Sequence, residues 1–241
     1  MALSKILKFL SKGFGSFLLS LGITLFILSF FVASVLSSVD GLKDSLVNEL
    51  TSDEVLSEVY GVDINQIKEL CKTNPEIVEC LDLDNLENRF LEENGVNDMV
   101  DQVKSYSQYT FSLRVLTFIL VVIGAFFIFL GSGFSLLETV KKVSFSGMLT
   151  SAFAMIYYKL FPGLLKDALN SPDIQARLQE SEVPFSVVEK IMKIIVDWFS
   201  LQINEPFKIA VILTIVFAVI YIGVKIYNWK FNKEVKEEKK E

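Results

Sequence analysis

The chain has 241 residues, 51% of them hydrophobic and 21 of them Phe, with a mean hydropathy of +0.46 and a formal net charge of −6. That is too apolar for an ordinary soluble domain, yet 22% of residues are charged, so charged and apolar residues must be segregated along the chain. The absence of His removes the commonest general base, proton relay and metal ligand, and the acidic balance disfavours nucleic acid as a partner.

Four apolar runs almost free of charge follow one another at 13–39, 115–137, 143–158 and 209–224. A spanning helix needs about 20 mostly apolar residues. The first two runs meet that, and the last two reach it if Lys159 and Lys208 snorkel outward from their ends. The predicted order is an N-terminal segment 1–13, a first span 14–38, an acidic loop 39–110, a second span 111–137 and a turn 138–143. A third span 144–164, a second long loop 165–205, a fourth span 206–228 and a charged tail 229–241 complete it. Residues 13–39 are much longer than the apolar core of about 7 to 15 residues in a signal peptide and lack a clear A-x-A site, so a retained anchor is expected.

Loop 39–110 holds seventeen acidic residues against Lys43, Lys68, Lys72, Arg89 and Lys104, so the negative charge belongs to one segment. Thr51-Ser52-Asp53-Glu54 reads as a helix-start box and Gly61 as a helix stop; 84–94 followed by Gly95 repeats the scheme. Cys71 and Cys80 flank Asn74-Pro75, a further helix start. A local disulfide between them is expected outside the cytoplasm, with two buried thiols as the other reading. With no His beside them the pair supplies no structural zinc site. The carboxylates of 82–87 lack the glycine and ligand spacing of an EF-hand and read as caps and a solvated face. No metal or cofactor is expected. Asn97 is predicted to cap a helix running through Met99, Val100 and Val103 into the second span.

In the second loop, residues 186–201 form an amphipathic helix with Val188, Ile191, Met192, Ile195, Trp198 and Phe199 on one face. That face packs against the first loop, lies in the lipid interface, or meets a protein partner. Gly131-Ser132-Gly133 and Ser16, Ser20 and Thr24 are small residues of the kind that let membrane helices approach closely. Ser29, Thr117, Thr150 and Thr214 either bond within and between helices or line a pore.

Segments after the first and third runs echo one another. Leu42-Lys43-Asp44-Ser45-Leu46 matches Leu165-Lys166-Asp167-Ala168-Leu169, and Thr51-Ser52-Asp53 falls opposite Asn170-Ser171-Pro172. Either the span-loop-span unit is duplicated, or two capped amphipathic helices look alike.

Lys5, Lys8 and Lys12, then Lys141 and Lys142, then Lys225, Lys230 and Lys233 flank the same ends of the runs, which places both termini in the cytoplasm of a cell membrane and both long loops outside. The layout resembles that of claudins and tetraspanins, but the Trp-Gly-Leu-Trp and Cys-Cys-Gly elements of those families are missing and nothing carries over. The sequence therefore predicts an all-α, four-span integral membrane protein with a helical extracytoplasmic domain formed by two loops. It surrounds itself with membrane lipids and binds or organises a protein partner without catalysis. A subunit of a homo-oligomeric channel or transporter is the alternative, weakened because Arg114, Lys159 and Lys208 sit near span ends and no ionisable group lies at mid-depth.

Overall fold

A computed structural model describes residues 2–61, 63, 66, 68, 69, 72, 96–172 and 184–238. Among these residues the regular structure is helical: α1 (Ala2–Leu50), α2 (Asp53–Tyr60), α3 (Val96–Ser105), a 3₁₀ turn (Tyr106–Gln108), α4 (Tyr109–Gly131), α5 (Leu136–Leu169), α6 (Phe185–Gln202) and α7 (Asn204–Glu238). Four stretches are long and apolar enough to cross a membrane, as the hydropathy pattern predicts. The third run lies in the 34-residue α5, which at 1.5 Å per residue is about 51 Å long and carries the uncharged stretch 143–158 between Lys142 and Lys159. Cys71, Cys80, Asn74-Pro75, the 82–87 carboxylates and the helix expected at 84–94 lie outside the described residues.

Helix ends follow local chemistry. α1 runs through 39–50 and stops at Leu50, where Thr51 N–H and its hydroxyl both donate to the Val47 carbonyl, at 2.9 and 2.8 Å. Ser52 then adopts extended backbone and its hydroxyl accepts from Val55 N–H at 3.3 Å, making it the N-cap of α2. Gly61 closes that helix at φ +66°, a left-handed conformation that costs an L side chain about 1–2 kcal/mol. Both ends agree with the cap signals.

The connection between α4 and α5 does not lie at 138–143. α4 ends at Gly131, and Gly133 N–H donates to Leu130 while Phe134 N–H donates to Phe129, the double bond of a Schellman stop. Gly133 takes the left-handed position at φ +68°, and Phe134 packs edge-on against Phe129 at 5.4 Å, the apolar contact such stops favour. Ser135 next accepts from Glu138 N–H at 3.4 Å and starts α5, so Glu138, Lys141 and Lys142 are helical. Hydropathy alone runs on through Leu136 and Leu137 because apolar residues lie on both sides of the turn. Asn97 is a second correction: it lies inside α3, with its Oδ1 accepting from Lys43 Nζ at 3.3 Å, and the 3₁₀ turn at 106–108 separates α3 from α4.

The chain forms two compact units, Met1–Val32 with Gln108–Leu160 and Ile203–Glu241, and Ala33–Ser107 with Phe161–Gln202. The first has its polarity inside out. Ser29, Thr117 and Ser151 are 0% exposed, whereas Phe111, Phe118 and Phe153 are 73, 62 and 65% exposed. Water would penalise that arrangement and hydrocarbon rewards it, so these four apolar helices fit a membrane protein whose outward side chains meet lipid.

α1 and α4 are antiparallel and meet backbone to backbone. A Cβ on Gly124 would lie 2.6 Å from Leu19 N and 2.8 Å from Gly15 O, and one on Gly15 would lie 2.7 Å from Gly124 O. Gly22 meets Val121 and Thr117 in the same way, and Gly131 meets Lys12 and Lys8. Glycines seven residues apart on each helix, 15 and 22 against 124 and 131, thus let the axes close. Hydroxyls link the other pairs: Ser146 Oγ lies 3.1 Å from Ser16 Oγ and 3.4 Å from Ser20 Oγ, Thr150 donates to Ser20 at 2.9 Å, and Thr214 donates to Ser151 at 3.0 Å. Ser29 and Thr117 donate within their own helices, to Phe26 and Arg114 carbonyls. Thr24, expected among the packing residues, is exposed.

The second unit buries Val47, Val55, Leu56, Val100, Val187 and Val196. α6 is tied to the later part of α1 by Trp198 Nε1, which donates to the Ser38 carbonyl at 3.0 Å, and by Ser34, which donates to Gln202 Oε1 at 2.8 Å.

Candidate functional site

At one end of the first unit a cavity of about 520 Å³ opens between α1, α4, α5 and α7. α1 supplies Phe9, Lys12, Gly13 and Ser16, which recur at three- to four-residue spacing and so share a face. The α5 start supplies Glu138, Lys141 and Lys142, followed one turn later by Phe145 and Ser146. They reach the cavity because the Schellman stop and the Ser135 cap turn the chain before Glu138 rather than after it. Ile128 and Tyr221 complete the apolar wall, with the Tyr221 ring 5.5 Å from Phe145.

The electrostatics are one-sided. Glu138 Oε1 lies 2.5 Å from Lys142 Nζ and 3.7 Å from Lys12 Nζ, so one carboxylate bridges cations of two helices. Lys141 adds a third ammonium, and the lining keeps an excess of two positive charges. The lysines were legible in the sequence as flanking charges; their convergence on Glu138 was not, because it depends on where the chain turns. Such a lining favours anions over cations.

The second unit carries the other candidate, the acidic surface. Lys190 Nζ lies 2.9 Å from Glu54 Oε2 and 3.8 Å from Glu49 Oε1, and Lys104 Nζ lies 2.7 Å from Asp40 Oδ2. Bonding to Glu54 holds the Lys190 ammonium above its usual pKa, and bonding to Asp40 does the same for Lys104. Ser186 donates to Glu58 at 2.7 Å. Asp44, Glu69, Asp98 and Asp101 remain exposed.

The α6 face occupies a packed position rather than a bare one. Val188, Ile191, Met192, Ile195, Trp198 and Phe199 are each half-buried, and Val187 and Val196, on the two margins of that face, are 1 and 4% exposed. Val187 and Val196 thus join the core of the second unit beside the six residues that the period alone puts on that face.

No protein-family model matches the chain, and neither a curated protein nor a solved structure matches it. Fold and site together define an all-helical protein with four potential membrane-spanning helices, a cationic cavity in the apolar unit and a separate acid-rich unit.

Proposed function

We propose that this chain is a multi-pass cell-membrane protein without catalytic activity, which binds or organises a protein partner through its acidic helical unit. Both termini lie in the cytoplasm and the acidic unit outside, an orientation supported by the lysines that flank one set of span ends. The observation that carries the reading is that the acid-rich segment belongs to a compact unit of its own, with exposed carboxylates at Asp44, Asp98 and Asp101. A surface of one sign steers and selects partners of the other sign.

That unit is the product of a duplicated span-loop-span segment. α1 ends with Thr51 N–H on the Val47 carbonyl and Ser52 N–H on Glu49; α5 ends with Asn170 N–H on Lys166 and Ser171 N–H on Ala168. Both terminations close with one bond to the fourth residue back and one to the third, in the frame that sets Thr51-Ser52 opposite Asn170-Ser171. Photo-crosslinkers at positions 44, 98 and 101 of the full chain in native membranes test the reading. A heterologous protein adduct is expected, and adducts to copies of this chain alone would refute it.

Oligomeric channel or transporter activity is the second reading, favoured by the half-buried row of Ser16, Ser146, Ser20 and Thr150. A selective current in proteoliposomes would move the assignment to permeation.

A further inference from the structure

The cationic cavity has a use that partner binding does not absorb. Lys12, Lys141 and Lys142 line the space with a single carboxylate, Glu138, and the rest of the wall includes Phe145 and Tyr221, so excess positive charge meets apolar surface in one space. The side chains of Lys12 and Lys142 are 36 and 35% exposed, and both are held by Glu138 and so are pre-positioned. Excess cations beside apolar walls attract a counter-anion. The volume of about 520 Å³ falls in the range of about 300–1,000 Å³ typical of small-molecule sites. The helices that frame the space turn large apolar side chains outward, among them Phe153, Ile215 and Val219. A ligand bearing both a negative head and apolar chains matches both kinds of surface at once. Basic pockets between membrane helices hold anionic lipid headgroups for this reason.

The geometry points to a phosphate-bearing anionic phospholipid as the occupant of this cavity, with its phosphodiester at Lys12, Lys141 and Lys142 and its glycerol and chains along Phe145 and Tyr221. Free phosphate shares the head chemistry but leaves the apolar wall unused.

The test uses the full chain in nanodiscs of phosphatidylcholine doped with phosphatidylglycerol, with retained lipid counted by native mass spectrometry after mild detergent stripping. One phosphatidylglycerol per chain is expected to outlast phosphatidylcholine about tenfold. Lys141→Gln, which leaves the Glu138 pairs with Lys12 and Lys142 intact, should weaken retention about fivefold, the size expected for one lysine near an anionic surface. Lys141→Arg should restore it. Equal retention of the two lipids, or unchanged retention in Lys141→Gln, would overturn the assignment. Displacement of the lipid by excess inorganic phosphate would overturn it in favour of a free-phosphate site.

Discussion

Gly124→Ala tests the packing of the apolar unit with a single methyl group. The new Cβ would sit 2.6 Å from Leu19 N, 2.8 Å from Gly15 O and 2.9 Å from Leu19 Cα. All three are backbone atoms, so no side chain can rotate away. Ordinary contact begins at 3.4 Å, and the shortfall of 0.8 Å must come from moving α1 away from α4. That displacement also opens the Gly22 and Gly131 contacts, because the same two rigid helices carry them. Overpacking of this kind costs about 1–3 kcal/mol. A Gly→Ala change in an open helical position, by contrast, gains about 1 kcal/mol of helix propensity. Gly223 provides that control: it is helical, and nothing lies within 4 Å of a Cβ built on it. Because both positions are helical that gain cancels, and Gly124→Ala should fall about 1–3 kcal/mol below Gly223→Ala when reversible unfolding is followed in bicelles. Gly15→Ala should behave alike, and the double variant should cost less than the sum, since both methyls enter the same gap. Equal stability of Gly124→Ala and Gly223→Ala would refute the backbone-to-backbone packing.

Gly133→Ala should cost about 1–2 kcal/mol for a different reason, its φ of +68°, since the nearest atom to the new Cβ is Lys8 Nζ at 3.7 Å; the same unfolding assay reads it. Ser52→Ala should remove the α2 cap at a cost of about 1 kcal/mol, seen as roughly fivefold faster amide exchange confined to residues 53–60. Trp198→Phe should lower stability by about 1 kcal/mol by deleting the donor to Ser38, and leaves Trp229 as the sole indole to report on the unfolding. The raised Lys190 and Lys104 pKa values contribute stability that is complete below the ordinary lysine value of 10.5 and is lost as pH rises through the raised values. An alkaline titration should accordingly show an earlier onset of unfolding in Glu54→Gln, whereas an unchanged onset would mean that the Lys190 pair contributes nothing.

The sequence by itself determined the helical class and the four apolar spans, because lipid forces every backbone group to bond within its own helix and leaves a long uncharged run as the signature. It also determined the ends of α1 and α2, since Thr51, Ser52 and Gly61 act on backbone within four residues of themselves. The α4–α5 turn carried a local signal as well, in Gly133 and the Ser135-to-Glu138 spacing, but apolar residues on both sides concealed it. Only the tertiary structure decided which small residues matter. Gly15 and Gly124 are 109 positions apart and meet because α1 and α4 run antiparallel, while Thr24, of the same small type, faces outward. Likewise Lys12 joins Glu138 and Lys142 across two helices, and Val187 and Val196 are buried at the margins of the expected α6 face. Periodicity gives the direction of each side chain around its own axis, and a neighbour's position is needed to say which directions are inward.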